Sequence, residues 1–97
     1  MKVWKGLLEF EWDAGNKGKN KKHEVEDGES EEAFFDEKKV VLKDALHSAD
    51  EPRFILLGQT KKGRLLFIVF TRRGKKLRII SARGVSKKEK YLYEKTT

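Results

Sequence analysis

The sequence predicts an α+β fold: one domain over residues 1–97, with a mostly antiparallel β-sheet of about four to five strands, two N-terminal helices and one C-terminal helix. Three observations predict it. Ninety-seven residues suffice for one hydrophobic core and not for two. Three apolar runs, 53–60, 64–71 and 76–82, follow one another across short turns holding Gly63 and Gly74, the pattern of an antiparallel meander. Helix-start residues, Asp13, Ser30 and Ser86, stand outside that meander on both sides.

Residues 7–12 alternate apolar and acidic side chains and read as a short strand. Asp13 is a good N-cap, so residues 14–23 form the first expected helix, although Gly15 and Gly18 each weaken it by about 1 kcal/mol relative to alanine. The acidic connection 24–29 leads to Ser30, the expected cap of a second helix. Glu31 and Glu32 sit in its first turn, where the helix dipole favours acids, and Ala33, Phe34 and Phe35 form its buried side. Residues 40–42 are a brief strand, and 44–52 a polar loop with the only proline, Pro52. The run Leu65 to Phe70 is apolar on both faces, which places it centrally in the sheet. Alternation on the last strand puts Arg78, Ile80 and Ala82 on one face and Leu77, Ile79 and Ser81 on the other. Ser86-Lys87-Lys88-Glu89 matches the Ser-x-x-Glu capping box and opens the last helix. A thin core leans on its large side chains: Trp4, Phe10, Trp12, Phe34, Phe35, Phe54, Phe67, Phe70, Tyr91 and Tyr93.

Charged residues, at 40%, outnumber hydrophobic ones, at 37%, but the hydrophobic ones are clustered, which argues for a folded domain. The absence of cysteine excludes disulfides and thiolate metal sites and fits a reducing cytoplasm. No apolar run approaches the roughly 18 residues of a membrane span, and the first residues lack the apolar stretch of a signal peptide. The expectation is a cytoplasmic protein with no membrane partner. Charge is divided unevenly. Residues 1–60 carry a net −4 and residues 61–97 a net +11, together the +7 of the whole chain. Such asymmetry points to a polyanion partner for the second half, nucleic acid first and an acidic protein next, against the plainer alternative of a solvated lysine-rich surface.

Several fragments, in order, resemble the BrnT family of ribonuclease toxins. Phe10-Glu11-Trp12-Asp13 resembles its Phe-x-Trp-Asp opening. Lys17, Asn20, Lys22 and His23 resemble its Lys-x-x-x-Asn-x-x-Lys-His segment at slightly altered spacing. Glu31-Glu32-Ala33, Arg53, Gly58 and Gly63-Arg64-Leu65 are similar to its middle markers. Arg78-Ile79-Ile80-Ser81-Ala82-Arg83 is the most specific piece, and Glu89 with Tyr93-Glu94 resembles its closing helix. The resemblance spans nearly the whole chain. It implies a RelE-like fold and an endoribonuclease toxin acting on cellular RNA. It also implies a BrnA-like antitoxin with a ribbon-helix-helix domain, through whose complex alone the toxin meets DNA.

Metal-independent RNA cleavage needs a base for the 2′-OH proton, cations for the developing phosphorane charge and an acid for the leaving oxygen. Histidine is the side-chain type suited to proton transfer near neutrality, so His23 is the expected general base or acid; the alternative is a helix-terminal histidine favoured by the dipole. His47 matches nothing and is expected on the surface. Arg78 and Arg83 complete the expected catalytic set, because an arginine fork matches phosphate geometry; the alternative is a pairing of one of them with Glu89 or Glu94. Lys22, Arg64, Arg72, Lys87 and Lys88 are the expected substrate contacts. Tyr93 could stack on a base but is expected in the core. No metal is expected: Asp13, Glu24, Glu26 and Asp27 lack paired histidine spacing. No cofactor is expected either. The competing function is a non-catalytic basic module that binds RNA or an acidic protein.

Overall fold

The computed structural model describes residues 9–44 and 51–96. Trp4, the first two residues of the expected strand 7–12, His47 and most of the expected loop 44–52 lie outside them. The elements are β1 (Glu9–Phe10), a 3-10 helix (Lys19–His23), α1 (Asp27–Ala33), β2 (Val40–Lys43), β3 (Arg53–Gln59), β4 (Leu65–Arg73), β5 (Lys76–Gly84) and α2 (Lys87–Thr96). The strands form one sheet in the order β1-β5-β4-β3-β2. Strands β2 to β5 pair antiparallel, and β4 is central, as its apolar run predicts. The two-residue β1 joins β5 in parallel, so the sheet is mixed.

One face of the sheet carries the core. Leu56, Leu66, Ile68, Phe70, Leu77, Ile79 and Ala82 pack there with Val25, Ala33 and Phe34. The Phe34 ring meets Phe10 and Phe70 edge-on, at centroid distances of 5.2 and 4.9 Å, a geometry that suits the aromatic quadrupole. A bulge corrects the expected phase of β5. Val69 pairs with Ser81 but Phe70 pairs with Ile79, so Ile80 is an extra residue. Past it, Ala82 turns inward beside Leu77 and Ile79, and Arg78, Ser81 and Arg83 share the outer face. Helix α2 packs on that outer face, against β3.

Two α-helices are present among the described residues, where three helices were expected. In place of the first, residues 14–18 form turns and only Lys19–His23 coil, as a 3-10 helix. Gly18 takes φ 67°, which glycine adopts without steric cost. This segment is held by buried asparagines. The Asn16 Nδ2 donates to the carbonyls of Glu11 (2.8 Å) and Ile79 (3.1 Å), and its Oδ1 accepts from the Asp13 amide. The Asn20 Oδ1 accepts from the Ala82 amide at 3.0 Å. Because β1 is so short, these side chains satisfy β5 backbone groups that lie beyond its reach. Asn20→Ala leaves a buried amide without its acceptor and is expected to cost about 1–3 kcal/mol, read as a lower urea midpoint with an unchanged slope.

Helix α1 begins earlier than expected, at Asp27. The Glu29 carboxylate accepts from the Glu26 amide at 3.0 Å, and Ser30, the expected cap, is buried inside the helix. The helix ends at Ala33, so Phe34 and Phe35 lie in the turn that follows and diverge. Phe34 is 2% exposed and Phe35 61%, which removes Phe35 from the expected core. Tyr91 leaves it too, on the solvent side of α2, whereas Tyr93 is buried. The capping box of α2 forms as expected: the Glu89 amide donates to the Ser86 Oγ, and the Ser86 amide to the Glu89 carboxylate at 2.8 Å.

Candidate active site

The last strand and the helix after it build the first half of the site. Arg83 leaves the outer face of β5 and lays its guanidinium over the Phe67 ring, 4.0 Å from the centroid. Its Nη1 and Nη2 each donate to one oxygen of Glu89 at 2.9 Å, a paired fork, and Nη1 also donates to the Gly84 carbonyl at 3.0 Å. The capping box fixes the Glu89 carboxylate at the start of α2, within reach of the strand that feeds the helix. The Arg83 guanidinium holds the Glu89 carboxyl below its ordinary range, and Glu89 in turn raises Arg83. Of the two alternatives for the arginines, pairing with Glu89 is therefore realised for Arg83 in the free chain.

The second half comes from the turn before β4. Gly63, at φ 86°, allows the tight reversal that brings Arg64 to the strand's start, where the Thr60 Oγ1 accepts the Arg64 amide. The guanidinium reaches back to the end of the 3-10 helix. It donates to the carbonyls of His23, at 3.2 Å, and Glu24, and lies 3.9 Å from the Glu29 carboxylate. Glu24 has φ 60°, a left-handed cap conformation, and Arg64 satisfies carbonyls that such a helix end leaves open. Lys22 and His23 are exposed at this corner. Between the corner and α2 runs a groove of about 530 Å³, lined by Arg64, Leu65 and Gly84 from the sheet and by Lys90 and Tyr93 from the helix. The Tyr93 hydroxyl donates to Asp36 at 2.6 Å; burial and that carboxylate push the phenol up to about 12, so it stays protonated. Buried to 6% exposure, Tyr93 is a core residue whose edge forms the groove wall, not a free stacking platform.

Arg78 stands apart. Its Nη1 donates to Glu11 at 2.9 Å and Asp13 at 2.8 Å, and its Nη2 to Asp13 at 3.0 Å. That hydrogen bond is the main reason the Asp13 carboxyl lies below its ordinary range and Arg78 above its own. Asp13, expected as a helix N-cap, instead accepts the Gly15 amide and clamps Arg78. A Cβ at position 15 would sit 2.9 Å from the Arg78 Nη2, so a larger residue there would displace the end of the Arg78 side chain. Arg78 pairs across the sheet with Thr71 and Arg83 with Phe67, so the two are four positions, about 13 Å, apart. They share a face, but their forks are drawn to opposite ends of it, and they do not converge on one phosphodiester. Arg72 lies further along, exposed, and bonds the Gly74 carbonyl of the hairpin turn. Lys87 and Lys88 are exposed on the first turn of α2.

Of the eight expected site residues, Arg64 lines the groove; its guanidinium bonds the His23 backbone carbonyl, next to Lys22, while Arg83 precedes the lining Gly84, Lys87 and Lys88 lie in the first turn of α2, and Arg78 and Arg72 stand apart. Lys90, expected with Lys87 and Lys88 only to extend the RNA footprint non-specifically, lines the groove itself. Asn16 and the Arg78 partner Glu11 were overlooked because their contacts span more than 60 positions. Among the described residues, no cluster of histidine and acidic side chains has the arrangement of a metal site, and no helix is long and apolar enough to cross a membrane.

A small domain with a strongly basic second half and a groove lined by Arg64 and Lys90 has the make-up of an RNA-directed protein. Residues 12–89 match the family of ribonuclease toxins, BrnT, of type II toxin–antitoxin systems, and the chain belongs to that family. A search of curated proteins gave no significant match. At the level of the family, the activity is that of a ribonuclease toxin, with RNA as substrate and an antitoxin as partner.

Proposed function

We propose that this chain is a metal-independent endoribonuclease, that the groove between Arg64 and α2 is its cleavage site, and that a BrnA-like ribbon-helix-helix antitoxin neutralises it. The supporting observation is an open groove lined by Arg64 and Lys90, whose Arg64 guanidinium bonds the His23 backbone carbonyl and whose lining Gly84 immediately follows Arg83. In the proposed reaction the 2′-oxygen attacks phosphorus, its proton passes to a base, and the P–O5′ bond breaks as that oxygen gains a proton. His23 serves as one of the two proton-transfer groups. Arg83 turns from Glu89 to the phosphate, an anion of the same fork geometry, and stabilises the charge on its equatorial oxygens. Lys22, Arg64 and Lys87 hold the strand on either side; Lys88 lies on the other flank of α2, Arg78 about 13 Å away and Arg72 on the opposite face of the sheet, so the strand does not use these three.

The purified chain with single-stranded RNA and EDTA is expected to produce 2′,3′-cyclic phosphate ends. His23→Ala is expected to slow this by about 10²–10⁴-fold, the usual worth of a proton-transfer group. One observation favours the non-catalytic module instead: Arg64, Arg78 and Arg83 all have carboxylate or carbonyl partners in the free chain, as structural arginines do. RNA left intact but bound, at every ratio tested, decides for the module.

A further inference from the structure

The outer face of the sheet holds a second feature that RNA binding does not account for. Its side chains form three cross-strand rows. Val40, Leu57, Phe67 and Arg83 make one; Leu42, Ile55, Val69 and Ser81 the next; Arg53, Thr71 and Arg78 the third. The first lies towards α2, with Leu57 and Tyr93 buried. The third is closed by the segment before β3: the Thr71 hydroxyl, 0% exposed, donates to the Pro52 carbonyl at 2.6 Å. The middle row is left partly open, with Leu42 41% exposed and Ile55, Val69 and Ser81 half-buried.

Helix α2 forms one wall of this trough. Its Lys90 and Glu94 line the groove on the Leu65 side. At 100° per residue, Lys88, Leu92 and Lys95 fall on the opposite flank, towards the open row. Lys88 and Lys95 are exposed and make no ion pair among the described residues. Three aliphatic side chains in line, rimmed by lysine and arginine, are the composition of a protein interface core. RNA is gripped by cations and by aromatic stacking, and gains little from Leu42, Ile55 and Val69. The outer rows lie about 13 Å apart with α2 over one of them, which leaves the width of a single helix packed about 8–10 Å from α2.

The geometry points to this trough as the docking site of an amphipathic antitoxin helix, its apolar residues at i, i+3 or i+4 and i+7 on Leu42, Ile55 and Val69, and acidic residues along the flank that meets Lys88 and Lys95. The inference rests on the toxin function proposed above. It adds that the antitoxin anchors beside the cleavage groove, on surface the RNA does not need, and blocks the groove from there.

The test titrates a full-length ribbon-helix-helix antitoxin that neutralises this chain against the intact toxin and follows RNA cleavage in parallel. Leu42→Asp places a charge in the interface core and is expected to weaken antitoxin binding by about 30-fold or more, as at a buried apolar anchor, with cleavage by the free toxin unchanged. Lys95→Glu is expected to weaken binding by about 5-fold at low salt and less at high salt. A photo-crosslinking residue placed at Leu42 is expected to join the antitoxin, which reads the same surface should Leu42→Asp fold poorly. Affinities within twofold of wild type for both substitutions, or no crosslink from position 42, would overturn the docking site. Equal loss of cleavage and antitoxin binding in a folded Leu42→Asp would make the face an RNA surface and overturn it too. A wild-type chain that binds the antitoxin through these residues yet cleaves no RNA refutes the proposed function and leaves the docking site standing.

Discussion

Gly58→Ala is expected to destabilise the protein by about 3 kcal/mol, the upper end of ordinary overpacking, and Gly58→Val to leave no cooperative unfolding transition at all. The reason is close approach, not backbone freedom. A Cβ at position 58 would lie 2.4 Å from the Ala33 carbonyl oxygen, 3.1 Å from its carbon and 2.9 Å from Leu56 Cδ2. The first two are backbone atoms at the end of α1 and cannot rotate aside, so the helix end must lift. Phe34 leaves the core with it. Asp36 shifts as well, and its carboxylate accepts from the Gln59 amide at 2.8 Å and the Tyr93 hydroxyl at 2.6 Å, tying the end of α1 to β3 and α2. Urea unfolding followed by near-ultraviolet dichroism measures the effect. An alanine variant with a wild-type midpoint would show that the helix seat yields more readily than backbone contacts allow.

How much of this was legible in the sequence depends on the range of the interaction responsible. The β3-β4-β5 meander was readable because its causes are local: apolar runs, with Gly63 and Gly74 between them. The α2 start was readable for the same reason, since Ser86 and Glu89 cap within one turn. The bulge at Ile80 was not, because Ile79-Ile80 is apolar in either phase and only the pairing with β4 selects the inward one. That single residue reverses the faces assigned to Ser81 and Ala82. The first helix failed because capping and propensity compete there with distant contacts: Asn16 and Asn20 find β5 partners more than 60 positions away. The parallel seat of β1 is long-range in the same sense.

The candidate site divides along the same line. Arginine-rich segments were visible, and so was the possibility of an Arg83–Glu89 pair, only six positions apart. The Arg78 clamp was not, since Asp13 lies 65 positions away and looked like a helix cap. Arg64 was visible as a cation but not as the group that closes the end of the 3-10 helix, because that role depends on the left-handed turn at Glu24.

Arg83→Ala is expected to lower RNA cleavage by about 10²–10³-fold, the usual loss when one donor to a transition-state oxyanion is removed. Its structural cost is expected to be small, because the Arg83 side chain is 42% exposed and solvent screens its pairing with Glu89. Glu89→Ala is the structural counterpart: it removes the α2 cap and is expected to cost about 1–2 kcal/mol, mostly through the cap. Acid separates the two roles further. The Glu89 carboxyl is depressed in the folded protein, first by Arg83. Its stabilising contribution is therefore fully present above the ordinary carboxylate value of about 4.3 and is lost as pH falls through the lower folded value. In Arg83→Ala the main cause of the depression is gone, so α2 should loosen at a higher pH than in wild type, as amide exchange along the helix would show. A catalytic Arg83 predicts cleavage lost at pH 7, where α2 is intact in both proteins. A purely structural one predicts near-normal cleavage at that pH and a deficit that appears only as the helix begins to open in acid.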